Sequence, residues 1–129
     1  MNGRFLLDTN VIIALLNGEE AIIRRFRADP EAYLPVTAVG ELYFGAHRSS
    51  RVEANMRRLE ELVKVAEVLG CDRFTAEVYG RIKNLLRAKG RPIPDNDLWI
   101  AAISQQHGLT LITRDQHFRQ IPGLVLDTW

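Results

Sequence analysis

Short apolar runs of strand length alternate with segments of helical periodicity along this 129-residue chain. That alternation confines it to folds in which successive strands are joined by helical crossovers. Arg4 to Leu7 is one such run. It stops at Asp8-Thr9-Asn10, polar residues of the kind that cap a helix, and Val11 to Leu16 continues as that helix until Gly18 ends it. Glu19 to Arg27 reads as a second short helix halted by Asp29-Pro30. Tyr33 to Val36 reads as an edge strand with Pro35 at its boundary, and Thr37 as the N-cap of a helix carrying Glu41, Leu42 and Phe44. Val52, Met56, Leu59, Leu62 and Val63 recur at helical spacing, and Val65 to Leu69 reads as a strand closed by Gly70. Phe74, Val78, Ile82, Leu85 and Leu86 form the apolar stripe of a further helix, ended by Gly90 and Pro92. Pro94-Asp95-Asn96-Asp97 opens a helix that runs to His107, with Asp95 or Asn96 as its expected N-cap and Gly108 just past its end. Leu109 to Thr113 is a strand with Arg114-Asp115 as its polar exit, and Val125-Leu126 a last short one. The fold expected is α/β: a three-layer α/β/α arrangement around a central, mainly parallel sheet, with residues 1–129 as one domain.

Several classes are disfavoured by composition. No apolar stretch approaches the ~20 residues that span a bilayer, and Asp8 arrives too early for the core of a signal peptide. Cys71 is the single cysteine, so an internal disulfide is excluded and a reducing compartment is expected. A cytoplasmic protein without membrane contact follows. The net charge of +1 conceals a separation of signs: if four carboxylates gather in one pocket, the remaining surface carries 17 cations against 16 − 4 = 12 anions. Most of those cations are arginines, as at Arg24-Arg25, Arg57-Arg58 and Arg87 to Arg91, and guanidinium grips phosphate bidentately.

The four acids concerned are Asp8, Glu41, Asp97 and Asp115. In open α/β sheets, ligands bind outside the carboxyl ends of the strands. Asp8 follows the first strand and Asp115 follows the strand Leu109 to Thr113, while Asp97 and Glu41 lie early in helices. Each has an ordinary role to set against this: a helix cap for Asp8, a turn for Asp115, a surface position for Glu41. Joint placement is what argues for a site. Carboxylates crowded together repel unless a cation sits among them, and oxygen ligands select a hard ion, Mg²⁺ or Mn²⁺. No histidine or cysteine cluster supports zinc; His107 and His117 read as structural or solvated, and Trp99 as core rather than a platform for a base. Such a centre suits hydrolysis of phosphodiesters. An aspartate-nucleophile phosphohydrolase, a hydrolase of DNA and a non-catalytic RNA-binding module remain as alternatives, the first weakened by Asn10 where a second aspartate is usual.

Four blocks, in order, resemble PIN-domain nucleases: Leu6-Leu7-Asp8-Thr9-Asn10-Val11-Ile12, Val39-Gly40-Glu41-Leu42-Tyr43-Phe44-Gly45-Ala46, Ile93-Pro94-Asp95-Asn96-Asp97-Leu98-Trp99-Ile100-Ala101-Ala102 and Leu111-Ile112-Thr113-Arg114-Asp115. Within that group the chain is similar to VapC-type toxins of toxin–antitoxin pairs, from near Arg4 to near Leu126. The resemblance implies Mg²⁺-dependent endoribonuclease activity, a cognate antitoxin and a homodimer. It implies Asp8, Glu41, Asp97 and Asp115 as catalytic acids, with Asp8, Asp97 and Asp115 on the metal. It also implies that Thr9, Asn10 and Thr113 support the carboxylates by hydrogen bonds, and it assigns nothing to Asp95.

Overall fold

Leu6 and Leu7 are neighbours on a strand, so their side chains leave it on opposite sides, yet both are fully buried. Leu111 and Ile112 repeat the pattern on the strand beside it. A sheet buried on both faces must be covered on both by helices. The computed structural model of the chain describes residues 3–29 and 31–129. Met1 and Asn2 lie outside the described residues, and so does Pro30, the second half of the helix stop expected at Asp29-Pro30.

The elements follow in the order β1 (Phe5–Leu7), α1 (Thr9–Leu16), α2 (Glu20–Ala28), β2 (Ala32–Pro35), α3 (Val36–His47), α4 (Val52–Val65), β3 (Glu67–Leu69), α5 (Arg73–Ala88), α6 (Asp95–His107), β4 (Thr110–Ile112), a 3-10 turn (Gln116–Gln120) and β5 (Leu126–Asp127). The five strands form one sheet in the order β3-β2-β1-β4-β5, and every pair is parallel. This is the three-layer α/β/α architecture expected. From β1 the chain winds outward to β2 and β3, then returns to lay β4 on the other side of β1. The order therefore reverses between β1 and β4, which is where a crevice opens at the carboxyl ends of the strands. Pairing Leu7 with Ile112 brings those two strand ends level.

Some local expectations are corrected. β2 is an inner strand between β1 and β3, not an edge. Pro35 is its last residue, so the missing N–H is lost where the ladder is already ending. Pro35 rather than Thr37 holds the N-cap of α3, and Pro94 rather than Asp95 or Asn96 holds that of α6. In both cases proline's fixed φ, −76° and −56°, suits the extended residue before a helix. Phe74 is more than half exposed and stacks under Arg73 instead of joining the core stripe. Val65 ends α4 with its side chain in solvent, and β3 begins two residues later. Gly108 does sit just past α6, at φ +64°, a conformation other residues adopt only with strain.

The core should therefore respond unevenly to truncation. Leu111→Ala, at a fully buried site on β4, should cost about 3 kcal/mol. Phe44→Ala, on the exposed side of α3, should change stability by less than about 0.5 kcal/mol. Urea unfolding midpoints, compared at equal slope, check both.

Candidate active site

β1 ends at Leu7, and the next residue, Asp8, serves as N-cap of α1 through a hydrogen bond from the Thr9 amide to its Oδ1 (2.8 Å). The capping role expected for Asp8 is thus real, but only one carboxylate oxygen is spent on it. The other, Oδ2, accepts from the Thr113 hydroxyl at 2.7 Å. The Asp8 amide donates to the Ile112 carbonyl (2.9 Å), which extends the β1–β4 ladder one step and aligns Asp8 with Thr113. Thr113 in turn accepts from the Asp115 amide (2.9 Å), so a short relay runs from the turn after β4 to the buried carboxylate. Asp8 is 3% exposed. Burial pushes its carboxyl above the ordinary aspartate range, the Thr113 and Thr9 hydrogen bonds oppose that, and the charges of Asp97 and Asp115 add to it.

Asp97 and Asp115 reach the same crevice from α6 and from the turn after β4, both half-buried. Between them lies His117: its Nε2 is 2.7 Å from Asp97 Oδ2 and its Nδ1 is 2.9 Å from Asp115 Oδ1. Donor atoms of these three side chains fall within 4.8 Å of one another, a grouping compact enough for one metal ion. The sequence reading of His117 as structural or solvated did not anticipate that it bridges these two carboxylates. The available signal was its spacing two residues after an acid at a strand exit.

Glu41 is placed differently. It is exposed on α3, on the wall of a groove of about 410 Å³ that also contains Thr9, Ile13, Leu42, Asn55 and Arg58. The structure thus gathers Asp97 and Asp115 tightly around His117, sets Asp8 close enough to feel their charges, and leaves Glu41 on the α1-α3-α4 side. Of the expected supporting residues, Thr113 acts as predicted. Asn10 instead accepts from the Arg114 amide (3.4 Å), and the Thr9 hydroxyl is buried without a partner. Arg114 itself leans away, gripping Glu19 with two nitrogens at 2.7 and 3.2 Å.

Asp95 receives an assignment. Residues two apart on a helix lie about 200° apart around its axis, so Asp97 faces the crevice while Asp95 turns to α5. There it accepts from the Tyr79 hydroxyl (3.0 Å) and Lys83 (3.2 Å), which hold its carboxyl below the usual range. Trp99 stacks on Tyr79 at 4.0 Å with an interplanar angle of 11°, so its ring face is taken by a protein side chain. Among the described residues, lysine and arginine pair with Glu19, Asp29, Glu31 and Asp95, and none pairs with Asp8, Asp97 or Asp115. Two carboxylates and one imidazole, with the buried Asp8 carboxylate beside them and no lysine or arginine paired to them among the described residues, form a donor set that fits a divalent ion.

Comparison with known proteins agrees with this fold. Residues 5–124 match the PIN domain. Ribonuclease VapC4 of Mycobacterium tuberculosis is 32% identical across 97% of this chain and 96% of its own length. The tRNA(fMet)-specific endonuclease VapC of Shigella flexneri is 30% identical across 98% of both chains. A chain in the crystal structure of DNA-bound VapBC from Salmonella typhimurium superposes with a TM-score of 0.94 at 31% identity, covering 98% of each.

The electrostatics have a measurable sign. A carboxyl whose pKa is raised by folding stabilises the native state below the unfolded pKa, and that contribution is lost as pH rises through the native one. Without metal, ionisation of Asp8 therefore works against folding. Asp8→Asn should raise the melting temperature of the chelator-treated protein by a few degrees at pH 7, with the gain shrinking as pH falls through the carboxylate range. Calorimetry across that range checks it.

Proposed function

The chain belongs to the PIN domain family, and from that premise we propose that it acts as a VapC-type endoribonuclease, the toxin of a toxin–antitoxin pair. What supports this reading is the grouping of Asp97 and Asp115 with His117 at the β1–β4 crevice, their charges acting on the buried Asp8, with no lysine or arginine paired to these acids among the described residues. We assign those three carboxylates to a divalent ion, Mg²⁺ with Mn²⁺ as the alternative. When bound, the ion offsets the charge that builds on phosphate oxygens during in-line displacement. Thr113 and the Thr9 amide fix the orientation of Asp8, so its carboxylate is already directed at the crevice before substrate arrives. Glu41 is the fourth catalytic acid proposed. From the groove wall it accepts the proton of the attacking water as the oxygen adds to phosphorus and the P–O bond to the leaving strand breaks.

RNA is the substrate class, and tRNA(fMet), named for the Shigella relative, is the first RNA to assay. VapBC pairs are toxin–antitoxin systems. The groove beside Glu41, with Ile13 at its edge 43% exposed and Phe44 nearby 66% exposed, supplies apolar anchors for an antitoxin segment. A lysine or arginine on that segment, set among the four acids, would take the ion's place. A homodimer, a single domain over 1–129 and a cytoplasmic location complete the reading; no helix among the described residues is long and apolar enough to cross a membrane.

Two adjacent acids test it. Asp97→Asn should lower cleavage by roughly a hundredfold or more, since the ion's charge stabilisation amounts to several kcal/mol. Asp95→Asn should keep most of the activity, because its partners lie on α5. Equal loss from both changes would contradict the site. In cells, expression of the chain alone should arrest growth and co-expression of the cognate antitoxin should restore it; a harmless chain with intact cleavage would defeat the toxin reading alone.

Affinity for RNA should fall steeply with salt, because an arginine-rich surface releases counterions when it binds phosphates. Filter binding between about 50 and 200 mM salt measures this, and a flat response would contradict it.

A further inference from the structure

Among the described residues, His117 is the one side chain able to carry positive charge that pairs with the crevice acids. We propose that His117 is a nitrogen ligand of the metal centre and that it biases the centre towards Mn²⁺ over Mg²⁺. This rests on the divalent-ion reading above and adds to it a ligand and a selectivity.

The geometry is the first argument. Ligands at about 2.1 Å from an octahedral ion stand about 3 Å apart along the octahedron's edges. Each ring nitrogen of His117 stands at such a separation from one carboxylate oxygen, Nε2 2.7 Å from Asp97 Oδ2 and Nδ1 2.9 Å from Asp115 Oδ1, and one donor atom from each of the three residues falls within 4.8 Å of the others. An ion would take the place of the contact between one ring nitrogen and its carboxylate. One ring nitrogen ligates it while the other donates its proton to a carboxylate, the arrangement that fixes tautomer and ring orientation in histidine–metal centres.

The second argument is restraint. Phe118, the next residue, is fully buried, and the imidazole lies against it with ring centroids 5.1 Å apart. The His117 amide donates to Asp115 Oδ1 (3.3 Å), which keeps the turn closed. The imidazole is thus held in the crevice and is not a surface side chain that happens to reach it.

The third argument is ligand chemistry. Mg²⁺ takes oxygen and keeps much of its water, whereas Mn²⁺ accepts carboxylate and imidazole together and lies closer to the metals that favour nitrogen. A centre offering carboxylates and one imidazole discriminates between the two through the imidazole alone.

The experiment uses the full chain. Electron spin echo measurements on the Mn²⁺-loaded protein report whether nitrogen is bound to the ion, and titration calorimetry reports Mn²⁺ and Mg²⁺ affinities for the wild type, His117→Ala, His117→Gln and Asp97→Asn. We expect a nitrogen coupling in the wild type that both His117 variants lose. We also expect Mn²⁺ affinity to fall tenfold or more, the scale seen even for indirect partners of a metal, with Mg²⁺ affinity changed far less. The wild-type spectrum alone decides the ligand question if a variant fails to fold. Absence of nitrogen coupling in a wild type whose Mn²⁺ binding depends on Asp97 overturns the proposal and leaves the metal reading standing. Retention of the coupling in the His117 variants, or tighter metal binding by them, also overturns it. Failure of the wild type to bind either ion, with Asp97→Asn indistinguishable from it, would remove both.

Discussion

Asp8 sits 3% exposed at the end of the central strand, and a carboxylate so placed must be hydrogen-bonded on both oxygens or expelled. The sheet satisfies that demand from β4: the Thr113 hydroxyl can reach Asp8 only because β1 and β4 are paired with Leu7 opposite Ile112. A shift of one residue in that register would turn Thr113 to the other face of the sheet and leave Asp8 with a single partner. The same register carries Asp115 and His117 to the crevice, since both follow β4 within a few residues. Fold and site thus share one constraint.

Stability and function pull against each other at this point. The hydrogen bonds that hold Asp8 oppose its desolvation, but Asp97 and Asp115 raise its cost again. A chain selected for stability alone would place lysine or arginine among these acids, as it does at Asp95, Glu19 and Glu31. Leaving the crevice without such a partner keeps it available to a mobile cation. Asp95 and Asp97 make the contrast within one helical turn: one is fastened to α5 by Lys83 and Tyr79, the other is held by His117 alone.

Much of this was readable from residue order. The alternation of strand-length runs with helical periodicity led to the parallel sheet, and acids at strand exits pointed to its carboxyl edge. Local reading went astray where a proline took the position that a polar cap was expected to hold, at Pro35 and Pro94, because proline's φ competes successfully with side-chain capping. It also placed Phe74 inside, although a helix packed on one side leaves one edge of its stripe in water. The contacts of His117 were not legible for a different reason. Its partner Asp97 is 20 residues away, and their meeting depends on how α6 leads into β4 and on the turn beyond it, which spacing alone does not report. Glu41 stood in the expected helix, but the width of the groove between α1 and α3 is set by packing and could not be read from its neighbours.

A divalent-cation centre at the β1–β4 crevice would be seen in anomalous diffraction from crystals soaked in Mn²⁺. The expected result is a difference peak bounded by the carboxylates of Asp8, Asp97 and Asp115, and no such peak in crystals of Asp97→Asn. A crevice without anomalous density at millimolar Mn²⁺, or a peak bound elsewhere while the crevice stays empty, would contradict it.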